Sequence, residues 1–261
     1  MTYGCLPAKK DLRDYKIIAD NSKNKYPEKF ELKNLPRVKN QEDVNSCSAH
    51  ATSSILEYYN NTMLSTNFIY GLKPDSDTNG MKLVDACKIV YKLGDTLESD
   101  CPGNDEFPKC EILAEVAYHN IEVMNKAKEF RIDSYYLCKN DNDIKYALMN
   151  FGPCLGSIYW RDNYALTPNK VIIFDKRYSG GYHAVMIYGW NEIGWLVQNS
   201  WGNNWGDDGR FILPFSYGFN EVRALVDFDN SDDKNIKIPK NNKFLNVLYK
   251  LINKIINLFD R

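Results

Sequence analysis

The sequence lacks any long apolar run: nowhere do about 18 apolar residues follow one another, so no ordinary membrane-crossing helix is expected. An excess of one charge is missing too. Thirty-three Lys and Arg stand against 34 Asp and Glu, a net charge of −1. That balance gives no electrostatic ground for a nucleic-acid partner. No apolar stretch follows Met1, where the chain reads TYGCLPAKKDLRDYK, so no signal peptide is expected. The corresponding expectation is a protein that is intracellular or packaged in a particle rather than conventionally secreted. No Cys-x-x-Cys pair occurs and only three histidines are present, so a zinc ribbon or finger has no support. Neither a metal nor another cofactor is expected. No internal repeat is visible.

What is present suits a globular protein. The chain has 261 residues, 44% of them hydrophobic and 13% aromatic, enough for two small lobes around a cleft with aromatic walls. Seven cysteines make an odd number. Only Cys101 and Cys110 bracket a short polar loop, PGNDEFPK, that a disulfide could close. Reduced thiols fit equally well, and the redox compartment stays open.

Patterning divides the chain. Residues 1–36 form an N-terminal extension interrupted by Pro7, Pro27 and Pro36. The spacing predicts helices over 46–60, 81–91 and 110–128, which make 37–128 a helical lobe. Segments RIDSYYLC, CLGSIYW, KVIIFD, HAVMIYGW, GWLVQNSW and GRFILPF read as strands, with a short helix NDIKYALMNF among them, which makes 129–229 a β lobe. Helices first and antiparallel strands second imply an α+β protein with two lobes. Residues 230–242 read as a polar linker. Residues 243–261 carry apolar positions at helical spacing opposite Lys250, Asn253, Lys254 and Asn257, an amphipathic helix. Two roles stay open for it: packing against its own domain, or docking on an anionic membrane surface or a protein partner. A monomer is expected.

One cysteine stands apart. A thiol at a helix N-terminus has its thiolate favoured by the dipole and free N–H groups. Cys47 lies at the predicted start of the 46–60 helix; Cys110 opens the 110–128 helix beside its polar loop, and the other five fall inside helices or on strands and loops. Among the histidines, His50 sits one turn along the same helix, an awkward place for a base. His119 is in a polar mid-helix stretch. His183 opens a strand after the flexible Ser179-Gly-Gly-Tyr182, 183 − 47 = 136 residues beyond Cys47.

These residues carry a resemblance. Gln41-Glu-Asp-Val-Asn-Ser-Cys47-Ser-Ala resembles the nucleophile signature of papain-like cysteine peptidases, Gly181-Tyr-His183-Ala-Val their histidine motif, and Val197-Gln-Asn199-Ser200-Trp201-Gly202 their asparagine motif. The resemblance extends from about Pro36 to Asp229, weakest in the middle, and implies the two-lobed papain-like fold, with the cleft between a helical lobe and a β-sheet lobe. It implies Cys47 as nucleophile, His183 as base and acid, and Asn199 as the group that orients the imidazole. Gln41 would be an oxyanion donor, and Trp201 would cover the His–Asn bond. Asn79-Gly80 resembles the family's segment that pairs with an extended peptide substrate. The function implied is peptide-bond hydrolysis through a thioester, on a peptide or protein substrate. Alternatives on the same fold are transamidation, deamidation or non-catalytic peptide binding. Departures are Ser48 where a Trp usually follows the nucleophile, Val44 where a structural Cys is usual, and Asn45 in place of Gly. No long helical prodomain precedes Cys47. The first 36 residues are therefore expected either to pack along the β lobe or to lie partly in the cleft as a short inhibitory segment.

Overall fold

The computed structural model describes residues 3–8, 15–17 and 26–227. The linker and amphipathic helix read over 230–261 lie outside the described residues.

Helix α1 (Cys47–Asn60) is the axis of the helical side, and nearly every residue of it is buried. Its small residues Ala49, Ala51, Ser53 and Ser54 let neighbouring backbone approach closely, while Ile55, Leu56 and Tyr59 pack onto the sheet face bearing Leu155, Ala184, Met186 and Leu225. Around it lie α2 (Thr66–Gly71), α3 (Leu83–Lys92), α4 (Lys109–His119), α5 (Ile121–Ala127) and a 3-10 turn, Lys128–Phe130. Three differences from the expected helices have physical causes. The helix expected from 110 to 128 is broken at Asn120, whose side chain leaves the helix and caps α5 by accepting from the N–H groups of Glu122 and Val123. Residues 81–82 pair as a strand, so α3 begins at Leu83. Helix α2, too short for a periodic signal, rests on its cap, the Ser65 hydroxyl accepting from the Phe68 N–H.

The other side is a seven-stranded antiparallel sheet. It comprises β2 (Phe30–Glu31), β4 (Ser134–Cys138), β5 (Cys154–Arg161), β8 (Gly180–Trp190), β9 (Gly194–Gln198), β10 (Arg210–Pro214) and β11 (Glu221–Val226). Its main order is β10-β9-β8-β5-β11-β4, and β2 adds to β8. Strand β8 is central and buried from His183 to Trp190, with His183 opposite Ile158 of β5. A small hairpin of β6 (Tyr164–Leu166) and β7 (Ile172–Phe174) stands apart, and α6 (Asp141–Asn150) covers part of the outer face. That face is aromatic, with Trp160, Trp190, Trp195 and Phe211 fully buried in it. Strand β11 escaped the sequence reading because EVRALV alternates weakly and holds a buried Arg223.

All seven thiols are free. The Cys101–Cys110 loop is closed by polar contacts instead: the Asn67 amide donates to Pro102 O and Asp105 Oδ2, each at 2.8 Å, and accepts from the Asp105 N–H at 2.8 Å.

Different stretches of the N-terminal extension run along different parts of the structure. Phe30 and Glu31 pair with Trp190 and Gly189, and Lys16 bridges Leu137, so much of it packs along the sheet. Residues Cys5–Leu6 (β1) instead pair in parallel with Met81–Lys82 (β3), on the helical side of the cleft.

Candidate active site

Cys47 is the first residue of α1 and is wholly buried. Its position follows from the preceding segment. Lys39 is buried with its ammonium on Ser53 Oγ (2.8 Å), Leu64 O (2.7 Å) and Glu57 Oε1 (3.0 Å), which fastens the chain to α1 just before Gln41. The Gln41 N–H then donates to Ser200 O at 2.8 Å. Its side-chain amide donates to Val44 O at 2.9 Å and accepts from the Ser200 hydroxyl at 2.6 Å. Gln41 is thereby fixed at both ends, beside the turn that leads into Cys47.

The opposite wall comes from the sheet. His183 begins the buried part of β8, and its Nε2 lies 2.7 Å from Asn199 Oδ1. Asn199 follows β9 and is aligned by its own N–H on Gly209 O (2.9 Å), while Oδ1 also accepts from the Ser200 N–H (2.8 Å). An acceptor at Nε2 assigns the proton to that nitrogen, which leaves Nδ1 unprotonated. Nδ1 is buried and has no hydrogen-bond partner. The Trp201 ring lies over the imidazole at 4.8 Å between centroids, and Trp160 meets the imidazole edge-on at 5.4 Å. These indoles keep water from the His–Asn bond. The Cys47 sulfur accepts from the Ala184 N–H at 3.4 Å, so it lies against the backbone that carries His183.

Electrostatically the site is at rest. Burial pushes the Cys47 thiol up to about 11, although N–H groups of Ala184, Gly4 and Ser48 draw it down. Burial also pushes His183 down to about 4, against the stabilising bond to Asn199. Both groups are neutral at pH 7. Burial thus keeps water from both groups in this conformation and disfavours charge on either.

The dryness comes from the N-terminus. The Gly4 N–H bonds to the Cys47 sulfur, and Gly4 O accepts from the Met81 N–H at 2.7 Å. Contact is so close that a Cβ on Gly4 would sit 1.9 Å from Asn45 O. Tyr3 presses on Gly181 and donates its hydroxyl to Asp162 Oδ1 at 2.9 Å. Residues 3–6 thus strap the two walls together over the nucleophile.

The remaining expected site residues separate. Gly80, at φ +128°, is buried against Gly4 and Leu6, but Asn79 is exposed, and the backbone pairing runs through Met81. The pairing seen here is the chain's own, between Cys5–Leu6 and Met81–Lys82, directly after Asn79-Gly80. His50 is held by Ser46 Oγ at 3.1 Å, and His119 is exposed beside Glu115, so neither serves Cys47. Among the described residues no cluster of His, Cys, Asp and Glu could hold a metal ion. Sequence reasoning missed the roles of Ser200 and Trp160, and although it offered a cleft-lying segment within residues 1–36 it did not single out Tyr3–Leu6. For the strap the one available signal was a glycine, Gly4, in an otherwise unremarkable stretch.

Comparison with known proteins agrees with this geometry. The chain is 31% identical over 132 residues to a gut-specific cysteine proteinase of Caenorhabditis elegans, covering 49% of this chain and 39% of that one. It is 27% identical over 190 residues to a cysteine proteinase of Theileria parva, covering 67% and 40%. The chain therefore spans about two fifths of the length of these relatives. Among solved structures, xylellain, a cysteine protease from Xylella fastidiosa, superposes with a TM-score of 0.75 at 22% identity, over 86% of this chain and 96% of that one. The procathepsin B S9 of Trypanosoma congolense gives 0.63 at 17% identity, over 86% of each. These likenesses show the two-lobed α+β fold. The family profile described as papain family cysteine protease matches residues 26–217, and the chain belongs to that family.

Proposed function

We propose that this protein is a cysteine peptidase whose described conformation is latent, with its own residues 3–6 closing the cleft. The observation that carries the reading is the His183 Nε2–Asn199 Oδ1 bond at 2.7 Å, which leaves Nδ1 unprotonated and unpartnered on the strand whose next N–H, that of Ala184, reaches the Cys47 sulfur at the start of α1. When the strap leaves, water returns and the desolvation that holds both groups neutral is relieved. His183 Nδ1 then takes the Cys47 proton, and the thiolate at the start of α1 attacks the peptide carbonyl. The oxyanion is received by the Cys47 N–H and the Gln41 amide. The proton on Nδ1 passes to the leaving amine, the acyl group stays on sulfur as a thioester, and water activated by His183 releases it. Asn199 holds the tautomer through both halves. An extended peptide would take the backbone of Met81 that β1 now occupies.

The test uses Gly4→Ala in the full chain. The added methyl collides with Asn45 O, so the strap loosens while the catalytic groups stay intact. Expected results are faster cleavage of fluorogenic peptides than wild type, and covalent labelling by an epoxysuccinyl inhibitor that maps to Cys47 and vanishes in Cys47→Ala. A folded Gly4→Ala protein that neither cleaves nor labels would end the reading.

A further inference from the structure

Two buried cysteines lie at the strap. Cys5 is the residue after Gly4, whose N–H bonds to the Cys47 sulfur. Both cysteines are buried and belong to one packed cluster. The Cys47 sulfur accepts from the Ala184 N–H at 3.4 Å, Ala184 is the cross-strand partner of Ser157, and the Ser48 hydroxyl donates at 2.8 Å to Met81 O, the residue with which Cys5 pairs. Cys5 Sγ also lies 3.3 Å from Ser157 Oγ. Room for this second sulfur exists because residue 48 is a serine. A bulky ring there would occupy the volume that Cys5 fills. Closure needs only a small residue at position 4 and burial at position 5. A thiol there, against the nucleophile, adds chemistry that packing does not require.

We infer that Cys5 and Cys47 form a reversible disulfide that locks the strap over the nucleophile, making this an oxidation-gated site. The inference rests on the latent-peptidase reading for its consequence, not for its chemistry. The oxidant is a hydroperoxide. During an opening of the strap, the Cys47 thiolate attacks the peroxide oxygen, breaking the O–O bond and releasing an alcohol or water, and Cys47 becomes a sulfenic acid. When the strap recloses, the Cys5 thiol attacks that sulfur, the S–S bond forms, and water leaves. A thiol reductant reverses it: its thiolate attacks the Cys5 sulfur, frees Cys47, and a second thiol resolves the mixed disulfide. The lock also shields Cys47 from further oxidation to the irreversible sulfinic and sulfonic acids.

Tryptic cleavage makes the test clear, because peptides 1–9 and 40–82 each hold a single cysteine, Cys5 and Cys47. Reduced full-length chain would be treated with hydrogen peroxide, blocked with N-ethylmaleimide, digested without reductant and mapped by mass. The expected product is the 1–9/40–82 disulfide, lost on dithiothreitol, with Cys47 recovered as free thiol. In Cys5→Ser, the same treatment is expected to drive Cys47 to sulfinic and sulfonic acid that dithiothreitol does not reverse. Equal over-oxidation of Cys47 in both chains, with no linked peptide, overturns the inference. The readout does not depend on turnover. A linked peptide in a chain that never cleaves would sink the peptidase reading alone. Cleavage by Gly4→Ala with no linked peptide in wild type would sink the lock alone.

Discussion

At the residue scale, the site divides into groups that react and groups that aim them. Asn199 only aims: its Oδ1 takes the Nε2 proton of His183 and the Ser200 N–H together. In Asn199→Ala that proton has no fixed partner and the wrong tautomer becomes available, so kcat should fall by about 100-fold or more. Peptide KM is expected to change far less. Gln41→Ala removes one oxyanion donor and should lower kcat by about 100- to 1,000-fold. Both variants would be measured in a Gly4→Ala background, with labelling of Cys47 as the control for folding. Equal losses in kcat and in the rate of Cys47 alkylation by iodoacetamide for Gln41→Ala would argue against an oxyanion role, because that displacement expels iodide and builds no oxyanion. Cys47, His183, Asn199 and Gln41 were legible in the sequence because each sits in a short motif whose local geometry is self-contained. Ser200 and Trp160 were not, since their roles exist only where β5, β9 and the Gln41 segment converge.

At the element scale, one buried ion pair ties the catalytic segment to its helix. Lys39 and Glu57 are both nearly inaccessible, 3.0 Å apart, and Glu57 also accepts from the Leu64 N–H at 2.9 Å. Burial, opposed by Glu57, lowers the Lys39 pKa, and the neighbouring Asp95 carboxyl is pushed up to about 8 by burial. Lys39→Met leaves Glu57 without its closest cation and should cost about 3–5 kcal/mol in denaturant unfolding. Adding Glu57→Leu should recover much of that loss, because two apolar groups of similar size no longer need each other's charge. If the double variant is no more stable than the single, the pair does not act as a unit. This network was invisible from sequence: a lysine 18 residues from its glutamate carries no periodic signal. The long strands were legible because β-branched and aromatic runs mark sheet buried on both faces. Short pieces such as β1 and β3 were not. Their two residues pair only because the strap and the 81–82 segment meet across the cleft.

At the scale of the whole molecule, closure and protonation are linked. His183 is held at about 4 in the closed form and returns towards its ordinary value near 6.5 once water enters. The open form then binds the proton more tightly, so acid favours opening. The contribution is absent above pH ~6.5, grows by about 1.4 kcal/mol per pH unit below it, and saturates near pH 4 at about 3 kcal/mol. Cys47, pushed up to about 11 in the closed form, would cancel this uptake by passing its own proton to His183 on opening, so Cys47→Ala serves as the background for the measurement. The Met81 amide reports closure directly, because its N–H is bonded to Gly4 O. After correction for intrinsic rates, its hydrogen-exchange protection should fall steadily as pH drops from about 6.5 to 5. His183→Gln, neutral at every pH, should flatten that slope while leaving the amide protected. Protection that stays level in Cys47→Ala over the same range would mean that strap opening leaves the His183 ring dry. Acid would then have no purchase on the latch.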